Sequence, residues 1–195
     1  MKVSETDFTL DQEDVPLFYE PVVLTIGTFD GVHTGHQFLL KTGKIESEKR
    51  NSNLVVLTFR TPPSWFFSPE TKKPLIMTLE ERIQWLKYYG ADHILVMDFT
   101  EDVAKRSALN FLTLLNTKIS ILKLFLGHDG KIGSDQENNR QQVFVASQKL
   151  GFDVEFLPSY LIDGQNVSSS RIRSLLESGE PDAAKRLLGH EINSL

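Results

Sequence analysis

Short apolar runs alternate with longer amphipathic stretches along most of the chain. The runs are continuous, as expected for strands that helices cover on both faces; they span residues 22–26, 54–59, 93–97, 120–126 and 154–156. The amphipathic stretches have helical spacing and span residues 37–49, 78–89, 108–115, 139–150, 169–177 and 182–188. This alternation indicates βαβ units. The pattern therefore predicts an α/β fold with a doubly wound, mostly parallel sheet.

The pattern also divides the chain. Residues 1–20 are acidic and irregular, and we expect an N-terminal extension with a short strand or turn that packs on the domain. Residues 21–195 form one predicted domain, in which residues 60–77 are a long loop. A chain of 195 residues is long enough to bury a core without disulfides or metals.

Composition narrows the classes of function. The chain has no cysteine, which excludes disulfides and cysteine-based metal sites and fits a cytoplasmic location. A net charge of −5 argues against a general nucleic-acid or anionic-membrane binder. No apolar run reaches the ~20 residues of a membrane span, and the N-terminus lacks the apolar core of a signal peptide. We expect neither nucleic-acid nor membrane partners.

A glycine-spaced turn that follows the first apolar run contains the most informative residues. It contains two histidines, His33 and His36, and leads directly into a predicted helix. Thr34 and Gln37 fit a capping box, which predicts a helix start at Thr34. Free N–H groups and the helix dipole favour an anion there. The turn is therefore interpreted as a phosphate site.

The spacing of the glycines excludes two common phosphate loops. Gly27, Gly31 and Gly35 are four residues apart, so the turn matches neither G-x-G-x-x-G nor the P-loop. Two other interpretations stay open. In the first, the histidines are structural, one as a buried polar residue and one beside the cap. In the second, they bind a metal, although no third ligand stands at a familiar spacing.

Two segments carry a family resemblance. Residues 27–37, GTFDGVHTGHQ, resemble the G-x-F-D-G-V-H-x-G-H-Q signature of prokaryotic FAD synthetases, the FMN adenylyltransferase module of bifunctional riboflavin kinase/FMN adenylyltransferases. Residues 167–173, VSSSRIR, are similar to the family's [IV]-S-S-T-x-[IV]-R. Weaker matches lie between them in the family's order, so the resemblance covers about residues 20–190.

The resemblance implies a fold, a reaction and a set of residues. The fold is the Rossmann-like nucleotidyltransferase fold of the H-x-G-H superfamily. The reaction is transfer of AMP from ATP to FMN by direct attack on the α-phosphate, with Mg²⁺, giving FAD and pyrophosphate. The implied catalytic residues are His33, His36, Ser169, Ser170 and Arg173. The implied further ATP-binding residues are Gly27, Thr28, Phe29, Asp30, Gly35 and Ser168, and Ser168 is equally well explained as a helix cap.

The implied FMN side departs from the family pattern. Its expected residues are Phe59, Pro62, Pro63 and Asp129, and Asp129 is also the candidate metal ligand. Pro62 occupies the histidine position of the family's F-x-P-H-P loop, while Gly130 and Ile132 replace two aromatic residues of its G-x-[DN]-F-x-F-G loop. Trp65, Phe66 and Phe67 form either an alternative stacking surface or a plug in the core.

The resemblance also leaves the function partly open. In the bifunctional relatives a riboflavin kinase follows the stretch that resembles Leu187–Leu188–Gly189, so we expect no kinase here and FMN supplied by a separate protein. Because the acceptor loops differ, two alternatives to FMN adenylylation remain. One is a nucleotidyltransferase with another phosphate-monoester acceptor, and the other is a nucleotide- or flavin-binding module without turnover.

Overall fold

The computed structural model describes residues 4–10, 17–18, 20–134 and 137–191. Its strands are β1 (Ser4–Phe8), β2 (Val22–Ile26), β3 (Leu54–Phe59), β4 (His93–Met97), β5 (Ile121–Leu126), β6 (Asp153–Phe156), β7 (Leu161–Ile162) and β8 (Gln165–Asn166). Its helices are α1 (Thr34–Lys49), α2 (Pro63–Phe67), α3 (Leu79–Tyr88), α4 (Glu101–Lys105), α5 (Ala108–Ile119), α6 (Asn139–Leu150), α7 (Ser169–Glu177) and α8 (Pro181–Leu188).

Six strands form one parallel sheet in the order β1-β4-β3-β2-β5-β6. The predicted doubly wound α/β fold is thus confirmed. From β2 the chain first builds outwards through β3 and β4, and later returns to the other side of β2 with β5 and β6. The strand order therefore reverses between β2 and β5. In such sheets a crevice opens at the carboxyl ends of the two strands that flank the reversal.

Helices cover the two faces of the sheet. One core cluster joins the sheet to α5 and α6 through residues such as Leu112, Leu115 and Val143. The other joins it to α1 and α3 through Leu40, Ile83 and Leu86. Burial on both faces explains why every residue of β3 is buried and apolar or hydroxylated. No helix in the described part of the chain is long and apolar enough to cross a membrane.

The two predicted capping boxes had different outcomes. At α3 the box is confirmed, because Thr78 and Glu81 exchange side-chain to backbone hydrogen bonds. At α1 it is wrong, because His33 is the N-cap. Thr34 Oγ1 instead donates to the Leu187 carbonyl over 2.9 Å. Gln37 Nε2 donates to the Leu188 carbonyl over 2.6 Å and to the Val32 carbonyl over 2.9 Å. Both side chains thus donate hydrogen bonds to carbonyls at the end of α8 and do not cap α1.

Other differences from the predicted elements lie in the connections. The predicted loop 60–77 contains α2 and a short 3₁₀ helix at Pro69–Thr71. Helix α4, which Thr100 caps, and the hairpin of β7 and β8 were not predicted. These elements are too short for periodicity to detect. In the segment 1–20, β1 is an edge strand of the main sheet, paired with β4; residues 1–3, 11–16 and 19 lie outside the described residues.

Candidate functional site

The turn from residue 27 to residue 33 joins β2 to α1 at the crevice where the strand order reverses. Three of its residues have positive φ: Gly31 at +83°, which glycine adopts without strain, and Phe29 and Val32 at 54° and 34°. Positive φ is costly for side chains of this size, above all for β-branched valine. Both are buried, with 1% and 0% exposure, so packing maintains the conformation. Strain of this kind is concentrated at ligand sites.

His33 caps helix α1 with its ring. Its Nδ1 accepts a hydrogen bond from the backbone N–H of His36 over 3.3 Å. An imidazole nitrogen that accepts a hydrogen bond carries no proton, so the proton of neutral His33 lies on Nε2. Burial lowers the pKa of His33 to about 4, against the opposing charge of Asp129. His33 is therefore neutral at pH 7 and its Nε2–H is a hydrogen-bond donor.

His36 stacks on His33, with ring centroids 3.6 Å apart and planes 13° apart. The edge of Phe29 contacts its ring at 5.1 Å. Its Nδ1 is buried and has no hydrogen-bond partner among the described residues. Burial, the neighbouring His33 and the cation of Arg82 together hold the pKa of His36 well below 6.5. The turn therefore presents two stacked, neutral imidazoles at the N-terminus of a helix.

A cavity of about 210 Å³ opens against these rings. It brings together seven of the predicted site residues, namely His33, Gly35, His36, Asp129, Ser168, Ser169 and Ser170. Its remaining wall includes Phe38, Leu39, Leu157, Pro158 and Tyr160. At Gly35 an added Cβ would lie 3.2 Å from His33 Cε1. Glycine thus lets the histidine ring lie directly on the backbone of the first turn.

Three consecutive serines line the same cavity. Ser168 is the N-cap of α7, and its Oγ accepts from the Arg171 N–H over 3.2 Å. Ser169 Oγ donates to the Asp30 carbonyl over 2.8 Å, which connects α7 to the histidine turn. Ser170 is exposed on the cavity wall. Two of the three hydroxyls therefore make hydrogen bonds that hold the fold together. The Ser170 hydroxyl has no hydrogen-bond partner among the described residues.

Asp30 and Arg173 form a buried ion pair behind this wall. Arg173 Nη2 lies 2.6 Å from Asp30 Oδ2, and the two side chains are 15% and 3% exposed. Asp30 also accepts from the Ile76 N–H over 3.0 Å, and Arg173 Nε donates to the Pro74 carbonyl over 2.8 Å. These bonds use Nε and Nη2 of the guanidinium. The pair ties the turn to α7 and to the end of loop 60–77.

The other predicted ATP residues are parts of the same turn. Gly27 N–H donates to the Leu57 carbonyl over 3.1 Å, which fixes the start of the turn against β3. The Thr28 carbonyl accepts from Thr58 Oγ1 over 3.1 Å and from Arg82 Nη1 over 2.6 Å. Phe29 packs in the core below His36. These residues therefore support the histidine turn and do not line the cavity.

Asp129 faces the histidines from the loop after β5. Its side chain is 78% exposed, and Gly130 N–H donates to the Gly127 carbonyl over 3.0 Å to form a tight turn. In the described part of the chain no three acidic or histidine side chains cluster as a metal site would require. Mg²⁺ that is bound to nucleotide phosphates needs only one or two protein carboxylates. Asp129 alone therefore fits a metal that arrives with a nucleotide.

A second cavity, of about 170 Å³, lies on the other side of the same loop. Its wall is apolar and aromatic, and it includes Ile26, Phe59, Pro63, Phe67, Phe99, Val103, Phe111 and Ile132. Phe59 and Pro63 are predicted FMN residues, whereas Pro62 precedes α2 as its N-cap. Trp65, Phe66 and Phe67 are not buried, so the plug interpretation is wrong. Phe67 is 62% exposed and supplies a flat surface at the cavity mouth.

The sequence analysis missed several residues around both cavities. Phe99 and Phe111 line the apolar cavity, and Phe38 and Tyr160 line the histidine cavity. These are ordinary aromatic positions, and sequence offers no signal for them. Arg82 is different, because its charge stands in the apolar stripe of α3 between Leu79 and Ile83. A charged residue on the core face of a predicted helix is the signal that could have found it.

Comparison with known proteins finds a family model and similar sequences. The family model described as FAD synthetase matches residues 16–171. The bifunctional riboflavin kinase/FMN adenylyltransferase of Haemophilus influenzae is 34% identical over 168 residues, which are 85% of this chain and 54% of that protein. A putative enzyme of the same name from Geobacillus thermodenitrificans is 32% identical over 173 residues, 88% of this chain and 92% of that one.

A solved structure also resembles the chain. The crystal structure of a macrolide-efflux protein from Streptococcus pneumoniae matches 97% of this chain and 60% of its own with a TM-score of 0.80. At 24% identity this likeness shows the fold alone. The chain spans about half the length of the Haemophilus influenzae relative. Since the family model matches most of the sequence, and the histidine turn and the serine wall lie inside the match, the chain belongs to the FAD synthetase family.

Proposed function

We propose that this chain is an FMN adenylyltransferase, which transfers AMP from ATP to FMN and releases pyrophosphate. The observation that carries the proposal is the pair of neutral histidines at the N-terminus of α1, which lines one cavity together with three serines. The cavity opens at the crevice where the strand order reverses, and the chain belongs to a family named for this reaction.

The proposed chemistry needs positioning more than proton transfer. The attacking oxygen belongs to a phosphate that is already anionic at pH 7, so no general base is required. Catalysis then consists of alignment and of stabilising charge on the α-phosphate and the departing pyrophosphate. His33 and His36 act as neutral donors, assisted by the free N–H groups of α1. Ser169 and Ser170 hold the phosphates from the serine wall of the same cavity.

Arg173 has a double task in this mechanism. Two of its nitrogens hold Asp30 and Pro74, and no described contact uses Nη1. We assign this nitrogen to the β- or γ-phosphate, since a guanidinium binds phosphate with directed, charge-assisted bonds. Asp129 would hold Mg²⁺ that arrives with ATP. The ion would supply charge neutralisation at the phosphates.

The apolar cavity is the proposed site of the flavin ring. Phe59, Pro63 and Phe67 offer the aromatic and apolar surface that a planar ring system requires. The loop from residue 127 to residue 133 borders both cavities, so FMN in one would direct its phosphate towards ATP in the other. Ile132 replaces a family aromatic residue there and is itself 4% exposed. Phe99 and Phe111 supply aromatic surface in its place.

The decisive experiment is FAD formation from Mg-ATP and FMN, followed by chromatography. We expect FAD and pyrophosphate in equal amounts, and none when either substrate is omitted. An ATP-binding measurement accompanies the assay. A protein that binds ATP yet forms no FAD would refute the proposal.

A second acceptor is the principal alternative. The replacement of family residues at Pro62, Gly130 and Ile132 lies on the acceptor side, while the histidine and serine segments keep the family pattern. A panel of other phosphate monoesters, nicotinamide mononucleotide and phosphopantetheine included, separates the two by pyrophosphate release. A binding module without turnover would bind ligand and release no pyrophosphate with any acceptor.

We propose a cytoplasmic location, in keeping with the absence of cysteine. Neither nucleic acid nor membrane is among the proposed partners.

A further inference from the structure

Arg82 is a buried cation without an acidic partner. Its side chain lies on the core face of α3 and is 1% exposed. Among the described residues no carboxylate lies within salt-bridge distance of it. Its Nη1 donates to the Thr28 carbonyl over 2.6 Å, its Nη2 donates to the Arg60 carbonyl over 3.3 Å, and its Nε has no partner. Burying an unpaired charge is costly, and such groups are concentrated at functional sites.

The two carbonyls that Arg82 binds belong to different loops. Thr28 lies in the histidine turn after β2, and Arg60 lies at the start of the loop after β3. That second loop leads to Pro63 and Phe67 on the wall of the apolar cavity. A single side chain therefore fixes the loops of both proposed substrates relative to each other.

The charge of Arg82 acts on the histidines. It is one of the causes that lower the pKa of His36. The nearest buried carboxylate is Asp30, which attracts Arg82 electrostatically but is already paired with Arg173. The buried Arg82 and the partly buried Arg173 thus share one buried carboxylate, which leaves one excess positive charge. Glu80 also attracts Arg82 but is exposed and screened by water.

We propose that Arg82 is a positioning residue for the adenylyl transfer, which locks the histidine turn to the acceptor loop and keeps an uncompensated positive charge next to His36. The charge opposes protonation of His36, in the same direction as burial, and adds a positive field for the triphosphate. In a site shielded from water such a field stabilises developing negative charge strongly. This role rests on the proposed function.

Comparing Arg82→Lys with Arg82→Gln separates the effect of the positive charge from the effect of the hydrogen bonds to the two carbonyls. Lysine keeps the charge, whereas glutamine keeps one donor for a carbonyl without the charge. We expect kcat to fall about 100-fold in Arg82→Gln, in the range of one lost stabilising donor, and less than about tenfold in Arg82→Lys. Arg50→Met is the matched control, since Arg50 lies at the far end of α1 in an exposed pair with Glu46. We expect it to keep the wild-type kcat.

A second readout needs no substrate. NMR titration of the His36 ring should show its pKa rising in Arg82→Gln, because a repelling cation is lost, and unchanged in Arg82→Lys. The pKa in the glutamine variant stays below its ordinary value, since burial is the larger cause. Circular dichroism and urea midpoints establish that each variant is folded.

The results decide the role as follows. Equal kcat and equal His36 titration in the lysine and glutamine variants would overturn it, as would a glutamine variant within twofold of wild type. If Arg82→Gln does not fold, the lysine variant decides: a 100-fold loss of kcat with an unchanged His36 titration overturns the charge role, and a smaller loss supports it. If the wild-type protein forms no FAD, the proposed function fails, and the titration still tests Arg82.

Discussion

Substitution of Asp30 by asparagine tests the buried ion pair with Arg173. The side chain keeps its shape and its acceptor for the Ile76 N–H, so the change removes mainly the charge. The pair is separated by 2.6 Å and the carboxylate is 3% exposed. Removing one partner of such a pair leaves a buried charge and costs about 3–5 kcal/mol. For a chain of this size each kcal/mol lowers Tm by about 2–4 °C, so the expected decrease is about 6–20 °C.

The assay is urea unfolding at pH 7, with Tm from calorimetry as a second measure. Asp163→Asn is the control, because Asp163 pairs with Arg186 over 2.9 Å while both side chains are more than 60% exposed. An exposed pair contributes about 0–1 kcal/mol. A decrease in the free energy of unfolding below about 1 kcal/mol for Asp30→Asn would refute the reasoning.

The double variant Asp30→Asn/Arg173→Met then separates stability from catalysis. It removes both charges, so it should recover part of the lost stability. If Arg173 also binds phosphate, the double variant stays inactive although it is stable. Recovery of activity together with stability would make Arg173 purely structural.

Three further predictions concern the histidines and the apolar cavity. His36→Ala should lower kcat about 100-fold or more, the cost of one lost donor to developing charge, and a wild-type rate in steady-state kinetics would make His36 structural. Phe67→Ala should raise KM for FMN and leave KM for ATP unchanged, whereas Phe144→Ala, at an exposed position on α6, should change neither. Because the pKa of His33 is about 4 in the folded protein, on acidification this histidine is protonated at a higher pH in the unfolded state than in the folded state. Stability attributable to His33 is therefore complete above pH 6.5 and is lost, by up to about 1.4 kcal/mol per pH unit, as the pH falls towards 4. Urea midpoints of wild type and His33→Gln that show the same pH dependence across this range would contradict this.

The sequence by itself determined the fold class and the position of the candidate site. Continuous apolar runs between helical stretches identify a parallel sheet, because only strands covered on both faces have that composition. The histidine turn and the serine segment are local: the residues of each are neighbours in the chain, so their spacing reveals them. The capping box at Thr78 was predictable for the same reason.

Tertiary structure decided what depends on residues distant in sequence. Thr34 and Gln37 have the pattern of a cap, but the carbonyls at the end of α8, about 150 positions away, accept from both side chains. Asp30 and Arg173 are separate motif residues in the sequence and a buried ion pair in the fold. The reason is physical: local patterns report a segment's own hydrogen bonds and burial. A residue that is distant in sequence but close in the fold can accept the hydrogen bond that the local pattern assigns to a near neighbour.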